Sequence, residues 1–222
     1  MAPDDAAAAF VRAAGDDGVV LELRQFDWLN EQGHVGLELV AKARRDPALA
    51  APVTAALAVL AAIFARLRGD ETVLHASRGN LLLPPVPVHP PTGTLVAVDG
   101  PEHFTSSRLT ALQLYPADAA LGFDLTEYVA LCREWSAQAD AMSPGLPAKA
   151  FGFGGIQRER AYHDALRDLA TPAMGHPPLI RVAVPDGDSA AAYARHQSVL
   201  RSLTAGAEGG APPASGRRSP RR

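Results

Sequence analysis

At 222 residues, with 47% hydrophobic and 20% charged side chains, the chain has ordinary globular usage, which excludes wholesale disorder and fibrous repeats. Its one cysteine, Cys132, excludes an internal disulfide and a cysteine-built zinc site. The formal charge of -3 is unevenly spread: residues 1–204 carry 17 Lys and Arg against 23 Asp and Glu, a sum of -6, while Arg217, Arg218, Arg221 and Arg222 crowd the end, so the body lacks the basic excess that marks nucleic-acid binding.

The first residues, MAPDDAAAAF, place two acids and no basic cluster before an apolar stretch, which argues against a secretory signal and for a cytoplasmic protein. An Ala-rich turn is expected there, followed by Val19 to Leu23, a short run that reads equally as helix or strand. Two helices are expected next, over Val35 to Arg45 and from Pro52 to Arg68, where Gly69 supplies the stop. The second is apolar on every side. Ala48 to Ala65 is nearly long enough for a membrane span, but its alanines, Pro52 and Thr54 favour a helix buried among other elements, with no membrane contact.

After Gly69 the pattern shifts to β-branched and leucine runs, and strands are expected at Thr72 to Ala76, Asn80 to Leu83 and Thr94 to Val98, with a proline-rich connection before the last. Asp124 and Glu127 form a capping box for a helix whose buried face carries Tyr128, Leu131, Cys132 and Trp135. Cys132 on that face reads as packing, with no histidine partner for nucleophilic work. A further helix, Ile156 to Ala170, has the stripe Tyr162, Ala165, Leu166 and Leu169. Its other side carries Gln157, Arg160, Asp164 and Arg167 at spacings of three, four and three. Leu179 to Val184 reads as a strand, Ser189 to Leu203 as a closing helix, and residues 205–222 as a disordered, Arg-rich tail. The expected class is α/β (α+β), a small mixed central sheet flanked by helices. Residues 1–70 form a helical region packed on a core of residues 71–204.

The segment richest in chemistry is Leu95 to Phe104. An apolar strand ends in Asp99, a Gly-Pro turn follows, and Glu102 and His103 come next. Carboxylates and an imidazole bunched at a strand end suit a hard or borderline divalent cation, with Asp99, Glu102 and His103 as the ligands. Asp-Gly-Pro is also ordinary turn chemistry, with Asp99 bonded to its own backbone. Gly152 to Gly155 precedes a helix but lacks the Lys-Ser/Thr of a phosphate-binding loop, and a hinge is the stronger reading.

Val98-Asp99-Gly100-Pro101-Glu102-His103-Phe104, the Arg-Asp helix from Arg160 to Leu169 and the strand Ile180-Arg181-Val182 together resemble the restriction-endonuclease-like, or PD-(D/E)XK, superfamily, near its very-short-patch repair endonuclease and RAP-type branch. The resemblance covers Thr72 to Val184. It implies a Mg- or Mn-dependent nuclease acting on DNA in repair or defence. Asp99, Glu102, His103 and Asp164 would be catalytic, and Gln157, Arg160 and Arg167 would contact nucleic acid. The ion would acidify a bound water and steady the phosphate charge. Glu38 is a more distant candidate ligand. Two positions depart from the pattern: Ala97 stands where the family has Glu, and Asn80 where an earlier metal-binding Asp is expected. Three readings follow: a nuclease, a nuclease-fold module that has lost catalysis and binds nucleic acid or a protein, and a structural protein.

Overall fold

The structure is a computed structural model that describes residues 3–208, with side chains described over residues 8–203. Eight α-helices and a four-stranded mixed sheet are present among these residues, an α+β fold. The strands are β1 (Glu22–Arg24), β2 (Val86–His89), β3 (Thr94–Asp99) and β4 (Ile180–Ala183), and they lie in the order β1-β2-β3-β4. The first three are antiparallel, and β4 runs parallel to β3. A parallel partner requires a long crossover. Here it contains α5 (Ser106–Leu112), α6 (Leu125–Met142) and α7 (Ile156–Ala173).

Side-chain alternation divides β3 between two cores. Leu95 and Ala97 face the larger one, built with α2 (Gly33–Arg44), α3 (Pro47–Arg66), α5, α6 and α7, while Val96 and Val98 face a smaller one closed by α1 (Pro3–Asp16) and α8 (Ser189–Glu208). On β4, Ile180 and Val182 take the smaller core. The period of two therefore sends Arg181 to the α7 side, the side that Asp99 also faces. The larger core draws on both Trp28 and Leu60 from the first seventy residues and on Leu95 and Leu166 beyond them, and β1 pairs with β2. Residues 1–70 thus share a sheet and a core with the rest.

Several expected elements are replaced. Thr72 to Ala76 is helical, α4 (Glu71–Ala76), because the Asp70 carboxylate accepts the N–H groups of Thr72 and Val73 and overrides a weak strand preference. Asn80 to Leu83 contributes only a bridge between Leu82 and Asn30. The proline-rich connection instead contains β2. Pro87 lies opposite Leu23 in the three-residue ladder with β1, and the ladder with β3 begins at Val88. The Ala-rich start is the helix α1, not a turn, and α5 was not anticipated; the Thr105 hydroxyl caps it by accepting the Arg108 N–H. Helix α8 continues through Ala205 to Glu208, where a tail was expected, and residues 209–222 lie outside the described residues.

Helix α3 is not buried on all sides. Val53, Ala56, Leu60, Ile63 and Phe64 are buried, whereas Ala51, Ala55, Ala58 and Ala62 are exposed. Small side chains limit the apolar area that this open face presents. By length and composition alone, α3 is the one helix among the described residues suited to crossing a membrane, with mean hydropathy 2.3.

One backbone approach seats β4. Gly122 bridges to Ile180, and a Cβ added there would lie 2.5 Å from the Leu179 carbonyl oxygen and 2.9 Å from that of Pro178. Backbone cannot move aside as a side chain can. Gly122→Ala is expected to destabilise the fold by about 1–3 kcal/mol, the usual range for overpacking, in urea unfolding. An unchanged midpoint would contradict the close approach.

Candidate functional site

The Asp99-Gly100-Pro101 segment does form a turn. It leads into one 3-10 turn, Pro101–His103, in which the His103 N–H donates to the Gly100 carbonyl at 3.0 Å. That turn brings His103 back over Asp99, with Nδ1 3.8 Å from Asp99 Oδ1. From α7, Asp164 completes a cluster: its Oδ2 is 2.8 Å from His103 Nδ1. Ligand atoms of Asp99, His103 and Asp164 all lie within 4.8 Å of one another. Glu102 is not in this group. Its Oε1 lies 3.8 Å from Nε2, the other nitrogen of the His103 ring.

The cluster is wired into a larger buried network. Arg181 Nη1 donates to both oxygens of Asp99, at 2.8 and 2.7 Å, its Nε donates to Asp168 Oδ1 at 2.6 Å, and its Nη2 donates to the Asp164 carbonyl at 3.0 Å. Asp168 Oδ2 accepts from Arg108 Nη2 and from the Tyr115 hydroxyl, both at 2.7 Å. The Tyr128 hydroxyl donates to Asp99 Oδ2 at 3.1 Å. Asp99, Asp164, Asp168 and Arg108 are each 1% exposed, and Arg181 is 2% exposed. So dry a set of charges persists only when paired.

Arg181 reaches Asp99 because of the residue beside it. In the β3–β4 register Arg181 is level with Ala97, and Asp99 is two residues further along the same face of β3. A methyl group at position 97 leaves the path from Arg181 to Asp99 open; a glutamate there would fill it and compete for the guanidinium.

The protonation states agree with this wiring. Burial alone would depress His103, but Asp164 and Asp99 hold its pKa above the ordinary value. Burial would raise Asp164, yet His103 and Arg181 hold its carboxyl well below the usual carboxylate range. Burial opposes the charge on Arg181 as well, and Asp168, Asp99 and Asp164 together keep it firmly protonated. Arg167, with Nη1 3.6 Å from Asp164 Oδ1, is weakened as a base by burial, and its Nε has no hydrogen-bond partner. With His103 protonated, the acids Asp99, Glu102, Asp164 and Asp168 are balanced by Arg108, Arg167, Arg181 and His103.

The α7 face expected to meet nucleic acid is partly covered by the fold. Gln157 donates to the Asp140 carbonyl at 2.8 Å, Arg160 donates to the Glu102 carbonyl at 3.1 Å, and the Arg167 side chain is only 14% exposed. Glu38 pairs with Lys42 at 2.6 Å on α2, apart from the network, and Asn80 is exposed. Cys132 is buried, and burial pushes its thiol up to about 12. Sequence reasoning missed Asp168, Arg108, Tyr115 and the role of Arg181. The readable signal was an arginine flanked by Ile180 and Val182 in an apolar strand, together with a second aspartate one helical turn after Asp164.

Set against known protein families, curated proteins and solved structures, the chain matches none of them.

Spacing alone would let Asp99, His103 and Asp164 surround a divalent ion. Their chemistry does not fit one. Both Asp99 oxygens are taken by a guanidinium, and His103 Nδ1 and Asp164 Oδ2 are taken by each other. A cation would have to displace an arginine whose charge already neutralises the site.

Proposed function

We propose that the chain is a non-cleaving module of nuclease-like architecture, acting by binding, in which the position of a metal centre holds a structural ion-pair network. The mixed sheet flanked by helices, with the Asp99-to-His103 turn at the end of β3, supports the architectural likeness. The observation that carries the loss of catalysis is Arg181 Nη1 on both oxygens of Asp99. Hydrolysis of a phosphodiester by metal-activated water needs an open, carboxylate-held ion, and here the carboxylate is closed by a fixed cation.

The competing reading, a Mg- or Mn-dependent nuclease acting on DNA, draws on the Asp99, His103 and Asp164 spacing alone. Calorimetric titration with Mn, run beside a plasmid-nicking assay in Mg and in Mn, separates the two. No heat above dilution and no nicking are expected. Saturable Mn binding and nicking that Asp99→Asn abolishes would overturn the proposal. Under the proposal, Asp99→Asn lowers stability and has no activity to remove.

A further inference from the structure

Away from the Asp99 network, a cleft of about 320 Å³ opens where the end of α3, the start of α5 and the first turn of α7 meet, lined by Arg66, Arg68, Ser106, Ser107, Thr110 and Arg158. We propose that this cleft binds a phosphomonoester group.

Three arginines around one hollow are unusual on a body whose residues 1–204 sum to -6. Like charges held close repel, and an anion in the hollow would relieve that repulsion. The nearby acids are spoken for. Asp70, two residues past Arg68, turns its carboxylate to the N–H groups of Thr72 and Val73. Asp140 accepts the Ser106 N–H at 3.1 Å, forming a negative border beside the cleft without lining it. Arg66, Arg68 and Arg158 make no ion pair with any described residue.

One guanidinium and one backbone turn at the cleft are held in place. Arg158 Nη2 donates to the carbonyls of Phe151 and Phe153 at 2.7 and 3.0 Å, which fixes the guanidinium and leaves its Nε and Nη1 for a ligand. Arg68 has a left-handed backbone, φ 61°, locked by its N–H to the Ala65 carbonyl and by the Gly69 N–H to the Phe64 carbonyl, each at 2.9 Å. The Thr110 hydroxyl donates to the Ser106 carbonyl at 2.9 Å. The hydroxyls of Ser106 and Ser107 are left to complete the set.

Chemistry selects the ligand. A carboxylate brings one charge and two oxygens, fewer than three guanidiniums and two hydroxyls can serve. A phosphomonoester brings close to two charges and three terminal oxygens at neutral pH, and planar guanidinium forks match its oxygens in pairs. The volume admits the phosphoryl group and the first part of what carries it. The carrier is either a small metabolite or the phosphorylated end of a nucleic-acid strand. The proposal stands on different residues from the Asp99 network and does not depend on that network being inert.

Calorimetry in 150 mM chloride, with inorganic phosphate, AMP, adenosine and short single strands bearing a 5′-phosphate or a 5′-hydroxyl, tests it. Phosphate and AMP are expected to bind, adenosine and the 5′-hydroxyl strand are not, and Arg66→Gln with Arg68→Gln is expected to weaken binding at least tenfold. A 5′-phosphorylated strand that binds more tightly than AMP identifies a strand end as the source; equal or weaker binding identifies a small molecule. No phosphate binding, or binding that the folded double variant retains, overturns the proposal. Metal-dependent nicking by the wild type would overturn the non-cleaving reading and leave this cleft untouched.

Discussion

Arg181→Met is expected to cost roughly 3–5 kcal/mol of folding stability, the range for removing one member of a buried charge pair. The replacement retains most of the apolar stem, so the loss reports on the guanidinium and much less on packing. Asp99 would be left with the Tyr128 hydroxyl as its one strong donor, while Asp168 would keep Arg108 and Tyr115. With only His103, 3.8 Å away, as a remaining cationic neighbour, a carboxylate at 1% exposure must rehydrate, take up a proton or force the region open. Domains of this kind have about 5–15 kcal/mol in total, so urea unfolding of this variant should show a large shift or no folded baseline. Arg181→Lys keeps the charge but lacks the fork that spans Asp99 and Asp168, and it should fall between. The pairing also predicts coupling: Asp99→Asn in the Arg181→Met background should cost much less than Asp99→Asn alone. A loss under about 1 kcal/mol for Arg181→Met would show that the network is hydrated and that Asp99 is free to serve another ligand.

The parts legible in the sequence are those set by local rules. The Asp124 cap, the 3.6-residue stripe through Tyr162 and Leu166 and the closing helix from Ser189 all follow from side-chain spacing, and each is present. Local rules failed where a distant partner decides. Thr72 to Ala76 has strand-like residues, yet one capping aspartate turns it helical. Val86–His89 is a strand despite its proline because two distant segments pair with it, β1 on one side and β3 from Val88 on the other. The candidate site divides the same way. Asp99 and His103 are joined by a turn of three residues, a relation visible in sequence, while Asp164, Arg108 and Arg181 arrive from α7, α5 and β4. Spacing along α7 placed Asp164 and Arg167 on one side of the helix correctly, but could not say that this side faces the sheet. An arginine inside an apolar strand is ambiguous until the register shows what lies beside it, and here that is Ala97.

Folding stability should peak near pH 6.5 and decline on both sides, with a different histidine responsible for each limb. His103 has a folded pKa raised above its unfolded value near 6.5 by Asp164 and Asp99, so its contribution is complete below pH 6.5 and is lost as pH rises through the folded value. His163, the neighbour of Asp164 on α7, behaves oppositely: burial, aided by Arg167, depresses its pKa to about 3. Between pH 6.5 and 3 the unfolded chain therefore takes up a proton at His163 that the folded chain refuses, and stability falls with pH. Burial also depresses His34 and His89, which add to the same limb. Below about 3.8 the Asp164 carboxyl, held low by His103 and Arg181, begins to be protonated in the unfolded chain first, and its contribution drains away as pH approaches the folded value. The His103 and Asp164 shifts are two views of one contact and count once. Full burial would make the His163 limb worth several kcal/mol at 1.36 kcal/mol per pKa unit; its partial exposure beside a cleft lined by Lys149 and Glu159 reduces this to about 2 kcal/mol. Chemical denaturation from pH 4 to 8 provides the check, below the range in which the unfolded chain ionises the Cys132 thiol that burial holds protonated in the fold. His163→Asn should flatten the acid limb and leave the alkaline one, while His103→Asn should flatten the alkaline limb and lower the maximum, since Asp164 loses its partner. An alkaline limb that survives His103→Asn would mean that the imidazole is neutral beside Asp164 and that the charges of the buried network are not balanced in the way the geometry requires.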